Sequence, residues 1–198
     1  MTNINTVLGP IESSKLGFTL SHEHICNGFG GSPFTFPEFL DREATFKRAA
    51  IDLSEAKSEG LHTIMDVAPH DQGRDIKLQQ EVSKRSGVNI ITCTGTWLDV
   101  PRFFDGLHPN KIADLYIREI EEGIEETEVK ASIIKVASDK GGVKPKEELV
   151  LRAAARASKS TGIPIMTHTW APDRIGEEQV RILKEENLDM GLVCIGHS

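Results

Sequence analysis

The residues of this 198-residue chain best equipped for chemistry are the two histidines of Gly17-Phe18-Thr19-Leu20-Ser21-His22-Glu23-His24-Ile25. Phe18, Leu20 and Ile25 mark the stretch as an apolar strand, and the i, i+2 spacing sends both imidazoles to one face. A neutral imidazole offers one ring-nitrogen lone pair, so two side by side at a strand end suit a divalent metal. A pair of surface histidines flanking a glutamate is the bland alternative. Position just past a strand, and later residues that answer the pair, favour the metal. Glu23 points away from both neighbours and is given no metal role.

Those answering residues also fall at the ends of apolar runs: Lys135 in Ile133-Ile134-Lys135-Val136, His168 in Ile163–Thr169, and His197 in Leu192–His197. A lysine among isoleucines and valine is costly to bury as a cation, so desolvation lowers its pKa and favours the neutral amine. Such an amine, between two cations, reacts with carbon dioxide to give a carbamate, a bidentate anion. That anion would bridge two metals about 3.5–4 Å apart, an arrangement that activates a shared hydroxide and polarises an ester oxygen. A lysine snorkelling to solvent is the alternative. Four histidines in register favour the carbamate.

Positioning these residues needs a regular frame, and the pattern supplies one. Asp41 caps a helix running to about Glu59 and stopped by Gly60; Leu61–Ala68 reads as a strand; Ile76–Ser86 is a helix ended by Gly87. Val88–Thr94 is the next strand, then a long helix around Lys111–Glu126, a strand over Ala131–Ala137, and a helix opened by Pro145 and ended near Gly162. Ile163–Thr169, a helix over Ile175–Glu186 and Leu192–His197 complete six strands and five helices in strict alternation. Strands apolar at nearly every position are buried on both faces, as in parallel sheets. A doubly wound sheet and a (β/α)8 barrel both fit. No Gly-x-Gly-x-x-Gly follows the first strand, which weakens the dinucleotide-binding version. A barrel gathers the C-terminal strand ends at one mouth, where the histidines and Lys135 would converge. No repeat or linker divides residues 1–198, which read as one domain.

Composition removes several classes. Net charge is −7, from 23 Lys and Arg against 30 Asp and Glu, with no basic cluster, so nucleic acid is not an expected partner. Cys26, Cys93 and Cys194 are odd in number and widely separated, which argues against a disulfide framework and for a reducing compartment. No apolar run approaches about 18 residues, and no signal peptide pattern opens the chain. A cytoplasmic protein without a membrane partner is expected.

The stretch GFTLSHEHI resembles the first signature of the phosphotriesterase family, a branch of the amidohydrolase superfamily. IIKVA with Lys135, THT with His168 and CIGHS with His197 are similar to that family's later metal-binding strands, in the same order, over Thr6 to Ser198. The resemblance implies a (β/α)8 TIM barrel, of which about six βα units are present. It implies a binuclear-metal hydrolase that attacks organophosphate triesters, lactones or both through a metal-bound hydroxide. His22 and His24 would hold the more buried metal, His168 and His197 the more exposed one, with carboxylated Lys135 bridging. Zinc is the usual pair, with cobalt, manganese or iron accepted. Trp97 resembles an aromatic lining the family's leaving-group pocket, with packing over the barrel rim as its alternative; Cys26 could touch substrate or serve as a small buried filler. Asp66 is expected to support the ligands, Asp71 and Asp75 to cap a turn and a helix, and His62, His70 and His108 to be solvated.

The departure from the family pattern is the absence of strands seven and eight. The family places a further ligand, an aspartate that also shuttles a proton, on strand eight, and no aspartate follows His197. Such barrels run to about 250 residues. The first expectation is a fragment of a longer enzyme; the alternatives are a chain that pairs its open edges with a second polypeptide carrying strands seven and eight, or one that closes through self-association, dimers being common in the family. A truncated, catalytically silent metal-binding protein, or one half of a split enzyme, is the alternative function. A doubly wound nucleotide-binding domain is a third, and it lacks a phosphate loop. No Gly-x-Ser-x-Gly points to a serine nucleophile.

Overall fold

The alternating pattern folds as a curled parallel sheet with helices on its outer face. The structure is a computed structural model describing residues 2–31 and 35–197. An antiparallel hairpin, β1 (Asn3–Thr6) and β2 (Gly9–Glu12), leads into β3 (Thr19–Glu23). Then follow α1 (Arg42–Ser58), β4 (Thr63–Asp66), α2 (Ile76–Ser86), β5 (Asn89–Thr96), α3 (Pro109–Glu121), β6 (Ile133–Ala137), α4 (Pro145–Thr161), β7 (Ile165–His168), α5 (Ile175–Glu185) and β8 (Val193–Cys194). Six strands lie in the order β3-β4-β5-β6-β7-β8, all parallel. That order never reverses, so there is no doubly wound switch point; the sheet is a half-barrel.

Local chemistry sets the helix ends. Asp41 accepts the Ala44 N–H at 2.9 Å to start α1, and Asp75 accepts the Leu78 N–H at 2.8 Å to start α2. Left-handed Gly87 closes α2, as sequence reading expects. The third helix is shorter than expected. Gly123 takes φ +152°, Glu125 and Glu126 take left-handed backbone, and the Ile124 N–H turns back to the Val129 carbonyl at 2.9 Å. The final strand is also short. Only Val193 and Cys194 pair, with Ile165 and Met166, before the chain turns at Gly196 and His197. The β1–β2 hairpin was outside the sequence expectation.

Period-two alternation divides the sheet's two faces. The outer face carries Ile64, Ile90, Ile134, Val136 and Ile165, packed against Leu78, Val82, Ile112, Tyr116, Val150, Leu151 and Ile182 of the helices. The inner face carries a small apolar layer of Val67, Cys93, Ile133 and Met166, with Met65 beside it. Lys135 shares that inner face, two residues beyond Ile133. Strands β3 and β8 each have one neighbour among the described residues. No helix among them is long and apolar enough to cross a membrane.

Candidate metal centre

Four histidines and the lysine, drawn from positions 22 to 197, meet at the C-terminal ends of the strands. His22 lies near the end of β3 and His24 just beyond it, their rings 5.7 Å apart. His22 also stands 4.7 Å from His197, and His197 stands 4.6 Å from His168, which ends β7. Lys135 is fully buried, and its Nζ lies 2.7 Å from His22 Nε2. Glu23 turns to the outer side, level with Asp66. The fold therefore brings these five side chains together at one end of the sheet.

Burial lowers the pKa of three of the imidazoles and of the lysine. Removal from water, then the nearby Lys135 amine and the other histidines, holds His22 down to about 3; desolvation and Lys135 hold His24 down to about 4. His168 is lowered for the same reasons. Desolvation above the apolar layer brings Lys135 down to about 8, so a much larger fraction than usual is free amine at neutral pH. Neutral imidazoles and a nucleophilic amine are the protonation states that metal ligation and carbamate formation need.

The site depends on close backbone approach at two glycines. Gly95 pairs with Lys135 across β5 and β6 and has φ +113°; a Cβ there would overlap the Lys135 carbonyl oxygen. A Cβ on Gly196 would overlap the Thr167 carbonyl and press on the His22 ring. Hydroxyls beside His168 fix the same turn: Thr169 Oγ1 donates to the Gly196 carbonyl at 2.9 Å, and the Gly196 N–H donates to Thr167 Oγ1 at 3.3 Å. From α5, Gln179 Nε2 donates to the His168 carbonyl at 3.0 Å.

Supporting residues lie one layer out. Asp66 does not bond the histidines. It accepts the Ile25 N–H at 3.3 Å, the Ala68 N–H at 3.0 Å and Gln79 Nε2 at 3.0 Å, anchoring the chain just past His24. Burial pushes its carboxyl up to about 6 despite those donors. Arg74, overlooked in the sequence, is buried; it donates twice to Glu119, at 2.9 and 2.7 Å, and once to the Cys93 carbonyl at 2.9 Å, bracing β5.

Two sequence expectations need correction, and four further residues can be placed. Asp71 does not cap its own turn; it reaches the N–H groups of Trp97 and Asp99. His70 is not solvated, since its Nε2 lies 3.3 Å from Thr96 Oγ1 and burial lowers its pKa. His62 and His108 are exposed as expected. Trp97 is half-buried and stands edge-on to His168, with ring centres 6.0 Å apart. Cys26 is buried within the apolar cluster of the outer face, where desolvation raises its thiol pKa.

Among the described residues, no three His, Cys, Asp or Glu side chains close on a single ion. The donor set is instead a run of four imidazoles with an amine against one of them. Imidazole nitrogens and an amine are donors that suit a divalent transition metal.

Comparison with known proteins shows the family. A family model described as the phosphotriesterase family matches residues 2–198. The chain is similar to an aryldialkylphosphatase of Saccharolobus solfataricus, at 39% identity over 189 residues, covering 94% of this chain and 60% of the relative. It is 40% identical over 207 residues to a phosphotriesterase homology protein of Mycobacterium tuberculosis, covering 100% of this chain and 64% of the relative. A phosphotriesterase homology protein of Escherichia coli is 32% identical over 184 residues, with 91% and 62% covered. The chain thus spans about three fifths of the length of these relatives.

Proposed function

The chain belongs to the phosphotriesterase family, and from that premise we propose that it is a metal-dependent hydrolase acting on organophosphate triesters, lactones or both. The observation that carries this reading is the buried Lys135 amine, 2.7 Å from His22 Nε2, beside a run of four imidazoles. His22 and His24 would hold one divalent ion, His168 and His197 a second, and carboxylated Lys135 would bridge them. Zinc suits this nitrogen and oxygen donor set, and cobalt, manganese or iron could replace it. Bound metals would supply a Lewis acid and a water acidified towards about pH 7.

The chain's own residues prepare the site. The free Lys135 amine would attack the carbon of carbon dioxide: an N–C bond forms as one C=O π bond opens onto its oxygen, one N–H proton passes to water, and the product is an anionic carbamate. Burial that lowers the lysine pKa favours this step, because only the unprotonated amine has the required lone pair. Half-buried Trp97, edge-on to His168, is positioned to contact a leaving group. The relative named aryldialkylphosphatase supports a triester with an aryl leaving group. Open edges at β3 and β8 support pairing with a second copy or a complementing segment. Three unpaired cysteines suit a cytoplasmic setting.

A second reading, a metal-binding protein without turnover, is favoured because no carboxylate among the described residues is hydrogen-bonded to the four histidines or Lys135. The deciding experiment is hydrolysis of a chromogenic aryl triester and of a lactone. Activity lost with chelator and restored by zinc supports the hydrolase, whereas metal uptake with neither substrate turned over supports the silent form.

A further inference from the structure

The turn after β4 carries a carboxylate whose work lies elsewhere. Asp71 is 6% exposed, and no lysine or arginine is ion-paired to it among the described residues. Both its oxygens accept the Trp97 N–H at 2.9 Å, and Oδ2 also accepts the Asp99 N–H at 3.2 Å. These donors sit where β5 leaves the sheet, since its ladder with β6 ends at Thr96 and Val136. A buried N–H without a partner is costly, so the carboxylate replaces the ladder that has stopped.

Neighbours of Asp71 reinforce the same point. His70 Nε2 lies 3.3 Å from Thr96 Oγ1, itself 2.8 Å from the Tyr116 hydroxyl. The Gly28 N–H donates to the Gln72 carbonyl at 2.9 Å, tying the turn to the loop beyond His24. One turn, residues 70–72, thus grips positions 96, 97 and 99. Position 97 bears the indole that stands at 81° to the His168 ring.

We infer that Asp71 is a positioning residue: its carboxylate fixes the Trp97 backbone so that the indole stands edge-on to His168 and shapes the mouth of the site. The substrate side of this inference rests on the hydrolase reading; the grip on Trp97 does not. An asparagine with its oxygen at the Oδ2 position keeps one acceptor for both N–H groups but loses the Oδ1 contact and sets an NH2 against the Trp97 N–H, so its grip is weaker.

The test uses a Trp170→Phe background, in which Trp97 is the sole indole of the two in the sequence. Asp71→Ala and Asp71→Asn are compared with the parent by acrylamide quenching, metal content, and kcat and KM for triesters with aryl and small alkyl leaving groups. Quenching of Trp97 is expected to rise in both variants, more in Ala, with metal content unchanged. For the aryl substrate KM is expected to rise roughly tenfold with a much smaller change in kcat. In a Trp97→Ala background, Asp71→Asn should leave that KM unaltered. Either folded variant with parental quenching and KM overturns the inference, and so does loss of metal together with Trp97 order. If Ala does not fold, Asn decides. If the parent turns over neither substrate, the hydrolase reading fails, and quenching alone decides the role of Asp71.

Discussion

A buried lysine is a poor structural choice, and that makes Lys135 the most informative single residue. Removing its solvation costs stability that no ion pair among the described residues returns. Methionine has a similar length and belongs with Cys93, Ile133 and Met166. Lys135→Met should therefore leave the melting temperature of the metal-free protein unchanged or raised, while metal affinity falls at least about 100-fold. Calorimetric melting with metal titration checks both halves. Asp66 gives a pH signature. Its folded pKa of about 6 lies above the ordinary aspartate value of 3.8, so the folded chain holds more protons than the unfolded chain between those values. Stability from this group is full below pH 3.8 and is lost as pH rises through about 6, by roughly 2–3 kcal/mol. Asp66→Asn should lack that loss, and its amide can donate to Gln79 Oε1, a buried acceptor without a partner. Urea unfolding at pH 4 and pH 8 separates the two proteins. The histidines and Lys135 were legible because polar residues at the ends of apolar strands violate the pattern around them. Asp71 was not, because its partners lie 26 and 28 residues away and a turn aspartate ordinarily bonds locally.

At the level of elements, the ligand strands must approach more closely than side chains allow. Gly95→Ala alters none of the five side chains, yet its methyl would displace the Lys135 backbone carbonyl, and its own backbone would be strained at φ +113°. It should cost roughly 3 kcal/mol or more, lower the melting temperature by about 10 °C, and reduce metal content. A parental melt and full metal occupancy would show that β5 and β6 can separate without cost. Helices with aspartate at the start and glycine at the end were readable almost to the residue. The end of α3 was not, because Glu125 and Glu126 are good helix formers forced into left-handed backbone by the return of the chain towards β6. The β1–β2 hairpin escaped notice because its four-residue strands include Pro10 and alternate weakly.

Across the whole molecule, strict alternation predicted a parallel sheet but not its closure; the unreversed strand order decides for the barrel. The five residues come from β3, β6, β7 and the turn after β8, so the unfolded chain cannot bring them together. Metal binding must then stabilise the fold, by about 4 kcal/mol at a thousandfold excess over Kd, or roughly 10 °C in melting temperature. A chelator should reverse the shift, and an unchanged melt on zinc addition would contradict the linkage. The most direct test is the number of divalent ions per purified chain after reconstitution with zinc and bicarbonate, measured by elemental analysis beside Lys135→Met. Two ions per chain, falling to one or none in the variant, is the expected result. A folded chain that retains no zinc, or a variant that still holds two, would contradict a lysine-bridged binuclear site.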